Sequence, residues 1–258
     1  MRKAPSPAKG FLFGLLYPLL VVGLMYLSGV KYTEVTDSAG NVAKAFVGPG
    51  LVMAALLVLL TSWLGWWQPV LREKVTTPRW LVAIPVLWVI AILIGTNYAR
   101  VAQLSSAFLM WATIATLFIG FGEEMTYRGL SIVGLRGGMS EAKVWLLSSL
   151  MFGLAHSANI FLGQSVGDTA VQLVYAFLLG SLLYAIRRTT GLLVIAIFTH
   201  AGWDWMLFVS QSKALADPGE TLHGDPSALP NIIAVVMVIL FAVGARGLFR
   251  KPQAAEAG

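Results

Sequence analysis

Eight apolar runs shape this 258-residue chain, at about residues 11–29, 47–67, 80–96, 105–124, 143–162, 169–186, 191–210 and 230–246. A helix that crosses a bilayer needs about 20 apolar residues. Inside lipid the backbone must satisfy its own hydrogen bonds, and a single segment does so only as a helix. The sequence therefore predicts an all-α fold, a polytopic transmembrane helical bundle of about eight spans. Composition agrees, with 57% hydrophobic residues and 12% charged, against roughly 25% charged in a soluble domain. Those proportions exclude a disordered chain, a coiled coil and most water-soluble enzymes. Links such as 68–79 and 97–104 leave no room for a separate soluble domain, so residues 1–258 read as a single membrane-embedded domain. Met1-Arg2-Lys3 followed by an apolar run from Phe11 to about Gly29 is signal-like at first sight. The run is too long for a signal h-region and lacks a small-residue cleavage site, so it reads as an uncleaved first span.

The positive charges predict an orientation. Eight spans put both termini on one side, together with Arg2, Lys3, Lys9, Arg72, Lys74, Arg79, Arg128, Arg136, Lys143, Arg187, Arg188, Arg246, Arg250 and Lys251; Lys31, Lys44, Arg100 and Lys213 fall on the other. That 14-to-4 division of the 18 basic residues places both termini in the cytoplasm by the positive-inside rule. The expected location is a bacterial or archaeal inner membrane. The net charge of +6 then belongs to orienting loops, and the partners are the lipid bilayer and no nucleic acid. The absence of cysteine excludes disulfides, thiolate metal sites and a cysteine nucleophile. His223 sits in an acidic outer loop from Asp217 to Asp225, where a surface role is expected, and the Ala/Glu/Gly tail after Pro252 is expected to be disordered.

Ionisable groups within spans cost about 2.5–3.5 kcal/mol each on insertion scales, so they are the informative residues. Glu123 closes the fourth run, His156 lies in the fifth, and His200 and Asp204 lie in the seventh. Glu124 and Arg128 are four apart, on one helical face and in the favourable order for an ion pair. Glu123, turned about 100° from Glu124, is left as the carboxylate without a local partner, which suits a general base. Phe152 and His156 are four apart, as are His200 and Asp204, so Asp204 is placed to orient the His200 ring or hold its proton.

In these residues the chain resembles the CAAX protease and bacteriocin-processing (CPBP, or ABI) family of intramembrane endopeptidases, which includes the type II CAAX prenyl proteases. The family pattern E-E-x-x-x-R, F-x-x-x-H and H-x-x-x-N/D reads here as Glu123-Glu124-Met-Thr-Tyr-Arg128, Phe152-Gly-Leu-Ala-His156 and His200-Ala-Gly-Trp-Asp204. The resemblance covers about 105–210, the expected catalytic core. It implies hydrolysis of a peptide bond in a membrane-anchored protein or peptide, by C-terminal processing, leader removal or anchor cleavage. Glu123 would activate a water with help from His156. His200 would steady the oxyanion, Asp204 would orient it or hold its proton, and Glu124, Arg128 and Phe152 would support the site. Asp204 stands where prenyl-protein members carry Asn, and an ionised Asp cannot donate to an oxyanion.

The family has been described both as glutamate-dependent and as metal-dependent. Glu123, His156 and His200 are the set that would hold Zn, although H-E-x-x-H spacing is absent, and the reading favours a metal-free site. Two other functions compete: a proton-coupled transporter, since buried Glu and His also form proton relays, and a non-catalytic scaffold or immunity protein of the same fold. At 1.5 Å per residue, Glu123 is expected within about 5 Å of the cytoplasmic boundary, His200 about 12 Å in and His156 about 18 Å in. The expected site is in the cytoplasmic half and open to water from that side, with Gly129, Gly134, Gly137 and Gly138 as a tight turn or rim.

Overall fold

Pro7 opens the first long helix, a position where its missing N–H costs nothing, and Gly29 closes it in the left-handed conformation at φ 72°. The same logic of start and stop residues repeats along the chain in this computed structural model, which describes residues 3–216 and 229–250. His223, its acidic loop and the C-terminal tail lie outside the described residues, as do Arg2 and Lys251. Six helices are long and apolar enough to cross a membrane: α1 (Pro7–Ser28), α2 (Ala39–Leu64), α4 (Ser106–Leu135), α5 (Glu141–Leu162), α6 (Val166–Thr190) and α7 (Leu193–Gln211). Two shorter apolar helices, α3 (Arg79–Gly95) and α8 (Ile232–Leu248), correspond to the third and eighth runs. No β-strand occurs among the described residues, and the fold is an all-α polytopic bundle.

The helices alternate in direction and so define two ends. At one end the Lys3 N–H meets the carbonyl of Leu64, and the Glu73 N–H meets that of Gly191. At the other end the Ser105 N–H meets the carbonyl of Ala214. We refer to them as the arginine end and the distal end. Two glycines make close approaches that nothing larger would allow. A Cβ on Gly134 would lie 2.5 Å from the backbone nitrogen of Gly10, so α1 and α4 touch backbone to backbone. Gly191, at φ 72°, turns the chain between α6 and α7, and a Cβ there would lie 2.6 Å from the Glu73 carbonyl oxygen.

Helix α4 departs from the sequence reading. The fourth run does not stop at 124. Residues Glu124–Ser131 continue it as a π-helix and Ile132–Leu135 as α-helix, and every residue from 124 to 135 is buried. Hydropathy falls across this stretch because it carries Glu124 and Arg128, but the two neutralise each other and the segment stays inside. Gly129 and Gly134 are consequently within the helix rather than on a flexible rim, and Glu123 stands twelve residues from the helix end instead of beside a boundary.

Charge at the arginine end is also more deeply built in than a set of loop residues. Arg187 and Arg188 are not a link between spans. They form the last turns of α6 and are buried at 1% and 0% exposure. Glu73 accepts from Arg136 (2.8 Å), Arg187 (3.1 Å) and Arg188 (2.5 Å). Glu141 accepts from Arg136 and from the Tyr184 hydroxyl at 2.8 Å. Arg187 also donates to the carbonyls of Val70 and Pro69, and Arg188 to those of Leu248 and Arg250. One cluster thereby ties the link before α3 to the ends of α4, α6 and α8.

Burial alone would raise the Glu73 pKa, but Arg136, Arg187 and Arg188 outweigh it and hold the carboxyl down at about 2, against an ordinary 4.5. A depressed folded-state pKa contributes stability that is fully present above about pH 4.5 and is lost as pH falls toward 2. Glu73→Gln leaves the buried Arg187 and Arg188 and the half-buried Arg136 short of a counter-charge. The expected loss is about 3–5 kcal/mol, read as a lower unfolding temperature in detergent at pH 7, with the difference from wild type shrinking as the solution is acidified.

Candidate active site

Three helices deliver the motif residues to one place. On α4, Glu123 and Glu124 stand at the junction of the α and π segments. On α5 the α-helix ends at Ala155 and tightens into a 3₁₀ turn from His156 to Leu162, so His156 sits where the helix changes pitch. On α7, His200 and Asp204 lie one turn apart within the regular helix. A cavity of about 460 Å³ is lined by Glu123, His156, His200 and Asp204, with Phe152, Tyr127 and Trp203 beside them. That size lies within the range of about 300–1,000 Å³ typical of ligand sites. Helix α4 runs on to Leu135, so Glu123 stands further from its end than the apolar run implied.

His200 is held at both ring nitrogens. Its Nδ1 lies 2.9 Å from Glu124 Oε1, while its Nε2 faces Glu123 Oε2 at 3.7 Å and Asp204 Oδ2 at 3.5 Å. Adjacent glutamates that cannot share a helical face therefore serve opposite edges of one imidazole. Glu123 is not isolated, as the sequence reading had it. The closest carboxylate that orients the ring is Glu124, and Asp204 instead shares the cavity-side nitrogen with Glu123. Glu124 is paired in turn with Arg128 at 3.2 Å, and both side chains are fully buried. The guanidinium of Arg128 stacks over the Phe152 ring at 4.1 Å, a geometry that compensates a buried cation. Phe152 meets His156 and His200 edge-on, with centroids 5.2 and 5.7 Å away, so a single ring braces both histidines and the arginine.

His156 has a defined polarity. Its Nδ1 lies 3.0 Å from the Phe152 carbonyl oxygen. A carbonyl only accepts, so Nδ1 carries a proton, and in the neutral ring Nε2 is the bare nitrogen. As arranged, no group of three His, Asp or Glu side chains among the described residues is placed to hold a metal ion.

Several lining residues escape a search restricted to ionisable groups. The Gln172 amide donates to the Tyr32 hydroxyl at 2.9 Å, and Asn159 donates to Gln172 at 3.0 Å. Uncharged amides within apolar runs are the signal that would have found Asn159 and Gln172. Tyr17, buried beside Tyr127 at a centroid distance of 6.0 Å, carries no such signal within α1.

Removing one member of the Arg128–Glu124 pair leaves a buried charge uncompensated. Arg128→Met alone is expected to cost about 3–5 kcal/mol, whereas Arg128→Met with Glu124→Leu recovers much of that stability. A double-mutant cycle of unfolding temperatures in detergent measures the coupling.

No curated protein and no solved structure matches this chain. Residues 103–206 match the family model described as Rce1-like, type II CAAX prenyl endopeptidase. That segment contains all three motifs and ends just beyond Asp204, and the match is to the CAAX protease family that the motifs resemble.

Proposed function

We propose that this integral membrane protein is an intramembrane endopeptidase that hydrolyses a peptide bond in a membrane-anchored protein by a glutamate-activated water. The observation that carries this reading is the convergence of Glu123, His156, His200 and Asp204 on one 460 Å³ cavity. The family match supports it, since CAAX proteases act on membrane-anchored proteins. A water between Glu123 and the bare Nε2 of His156 has two acceptors for its hydrogens, which leaves a lone pair for the scissile carbonyl. Glu123 takes the proton as the water attacks and passes it to the leaving amine. The Nε2 edge of His200 meets the developing oxyanion as a donor, held in place from behind by Glu124. Asp204 accepts at the same edge and keeps a proton there. No step requires Asp204 to donate, and this removes the difficulty of finding Asp in place of Asn.

Glu123→Ala and His156→Ala are expected to lower cleavage by about 10²–10⁴-fold in a reconstituted assay while leaving the folded protein intact. Asp204→Asn should retain most activity and Asp204→Leu should not. A strong chelator should leave the rate unchanged; loss restored by added Zn would overturn the metal-free mechanism. Equal cleavage by wild type and both alanine variants would sink the protease reading and leave the transporter or scaffold alternatives.

A further inference from the structure

Tyr32 stands outside the family-matched segment, in a short 3₁₀ helix (Tyr32–Asp37) between α1 and α2. That helix is fastened in place. Val35 is buried against the bundle, the Asn41 side-chain amide donates to the Glu34 carbonyl at 2.7 Å, and Ser38 caps the N–H of Asn41. Tyr32 is half-buried and lines the cavity together with Glu123 and Asp204. It packs on the same buried cluster as Val22, Phe46 and Phe208, which line the cavity too.

The direction of the hydrogen bonds decides where the Tyr32 proton can go. The Asn159 amide donates to the Gln172 carbonyl oxygen at 3.0 Å, and the Gln172 nitrogen donates to the Tyr32 hydroxyl oxygen at 2.9 Å. An amide nitrogen does not accept, so the hydroxyl receives that bond and directs its own proton elsewhere. Among the described residues no acceptor takes it. Burial pushes the Tyr32 pKa above the ordinary 10; Gln172 works against the rise, and Asp204 and Glu123 add to it, so the hydroxyl keeps its proton at neutral pH. Tyr127, on the same cavity, differs in this respect, because its hydroxyl is committed to the Gly14 carbonyl at 3.3 Å.

We propose that Tyr32 is a substrate-binding residue that donates to a backbone carbonyl of the bound peptide, with Gln172 and Asn159 as positioning residues that aim its proton. The proposal rests on the endopeptidase reading for the identity of the ligand but not for the direction of the proton. A peptide unwound in apolar surroundings has carbonyls that lack donors. Glu123 and Asp204 offer carboxylates, which in their ionised form only accept, whereas the aimed hydroxyl donates. Val22, Phe46 and Phe208 suit apolar side chains on the same peptide.

The probe is a farnesylated, fluorophore-labelled CAAX peptide, the class of ligand that the family match names. Its binding is read by fluorescence anisotropy with the full chain in phospholipid nanodiscs, in a Glu123→Gln background so that the peptide is not consumed. Tyr32→Phe removes the proton and keeps the ring. Gln172→Glu keeps the shape but replaces a donor by an acceptor, which draws the Tyr32 proton back toward position 172. Each change is expected to weaken binding about tenfold. The two together should weaken it no more than either alone, because both remove the same hydrogen bond. With Glu123 restored, each should raise KM and leave kcat nearly unchanged. Binding by either variant within about twofold of the parent overturns the proposal, as do losses that add in the double variant. A wild type that fails to cleave the peptide, with both variants still weakening its binding, would remove the endopeptidase reading and leave the assignment of Tyr32 standing.

Discussion

A guanidinium with no access to water sets the terms for the site. Arg128 is fully buried, paired with Glu124 at 3.2 Å and stacked on Phe152. An isolated charge at that depth is too costly to keep, so the carboxylate and the ring must both be in place for the bundle to close. Glu124 is thereby immobilised and its Oε1 also fixes His200 at Nδ1. The ring of His200 cannot turn without breaking that bond, so its other nitrogen faces the cavity. Orientation of the cavity-facing edge thus follows from the stability of the core.

The fold was legible because its determinants are one-dimensional. Each apolar run in the sequence became a helix, and the three motifs landed on α4, α5 and α7 as their spacing required. The Glu124–Arg128 pairing was legible for the same reason, because neighbours on one helix face are separated by a fixed count. What was illegible depends on relations between helices or on charges that cancel. Hydropathy could not extend the fourth run to Leu135, because it counts Glu124 and Arg128 separately and cannot see that they neutralise one another. Arg187 and Arg188 looked like a cytoplasmic link for the same reason; their partner Glu73 lies more than a hundred residues away in sequence. The two-sided grip on His200 needed the distance between α4 and α7, which no pattern along either helix contains.

The two charged clusters do different work in the same bundle. At the arginine end, Glu73 and Glu141 are matched by three guanidinium groups and a tyrosine hydroxyl, so the carboxylates are saturated with donors and chemically quiet. Around His200 the balance is reversed. Glu123, Glu124 and Asp204 surround one imidazole, and a single guanidinium answers them. There the carboxylates outnumber the fixed positive charge. One cluster has donors to spare, and the other has acceptors to spare.

The contact between Gly10 and Gly134 brings α1, which precedes the family-matched segment, against the helix that carries Glu123. Tyr17 and Met25 of that helix form part of the cavity wall. The cavity wall is thus drawn partly from the family-matched segment and partly from the helix before it. Exchange of the first thirty residues, provided the glycine seam is kept, would reshape one wall of the cavity while leaving Glu123, His156, His200 and Asp204 in place.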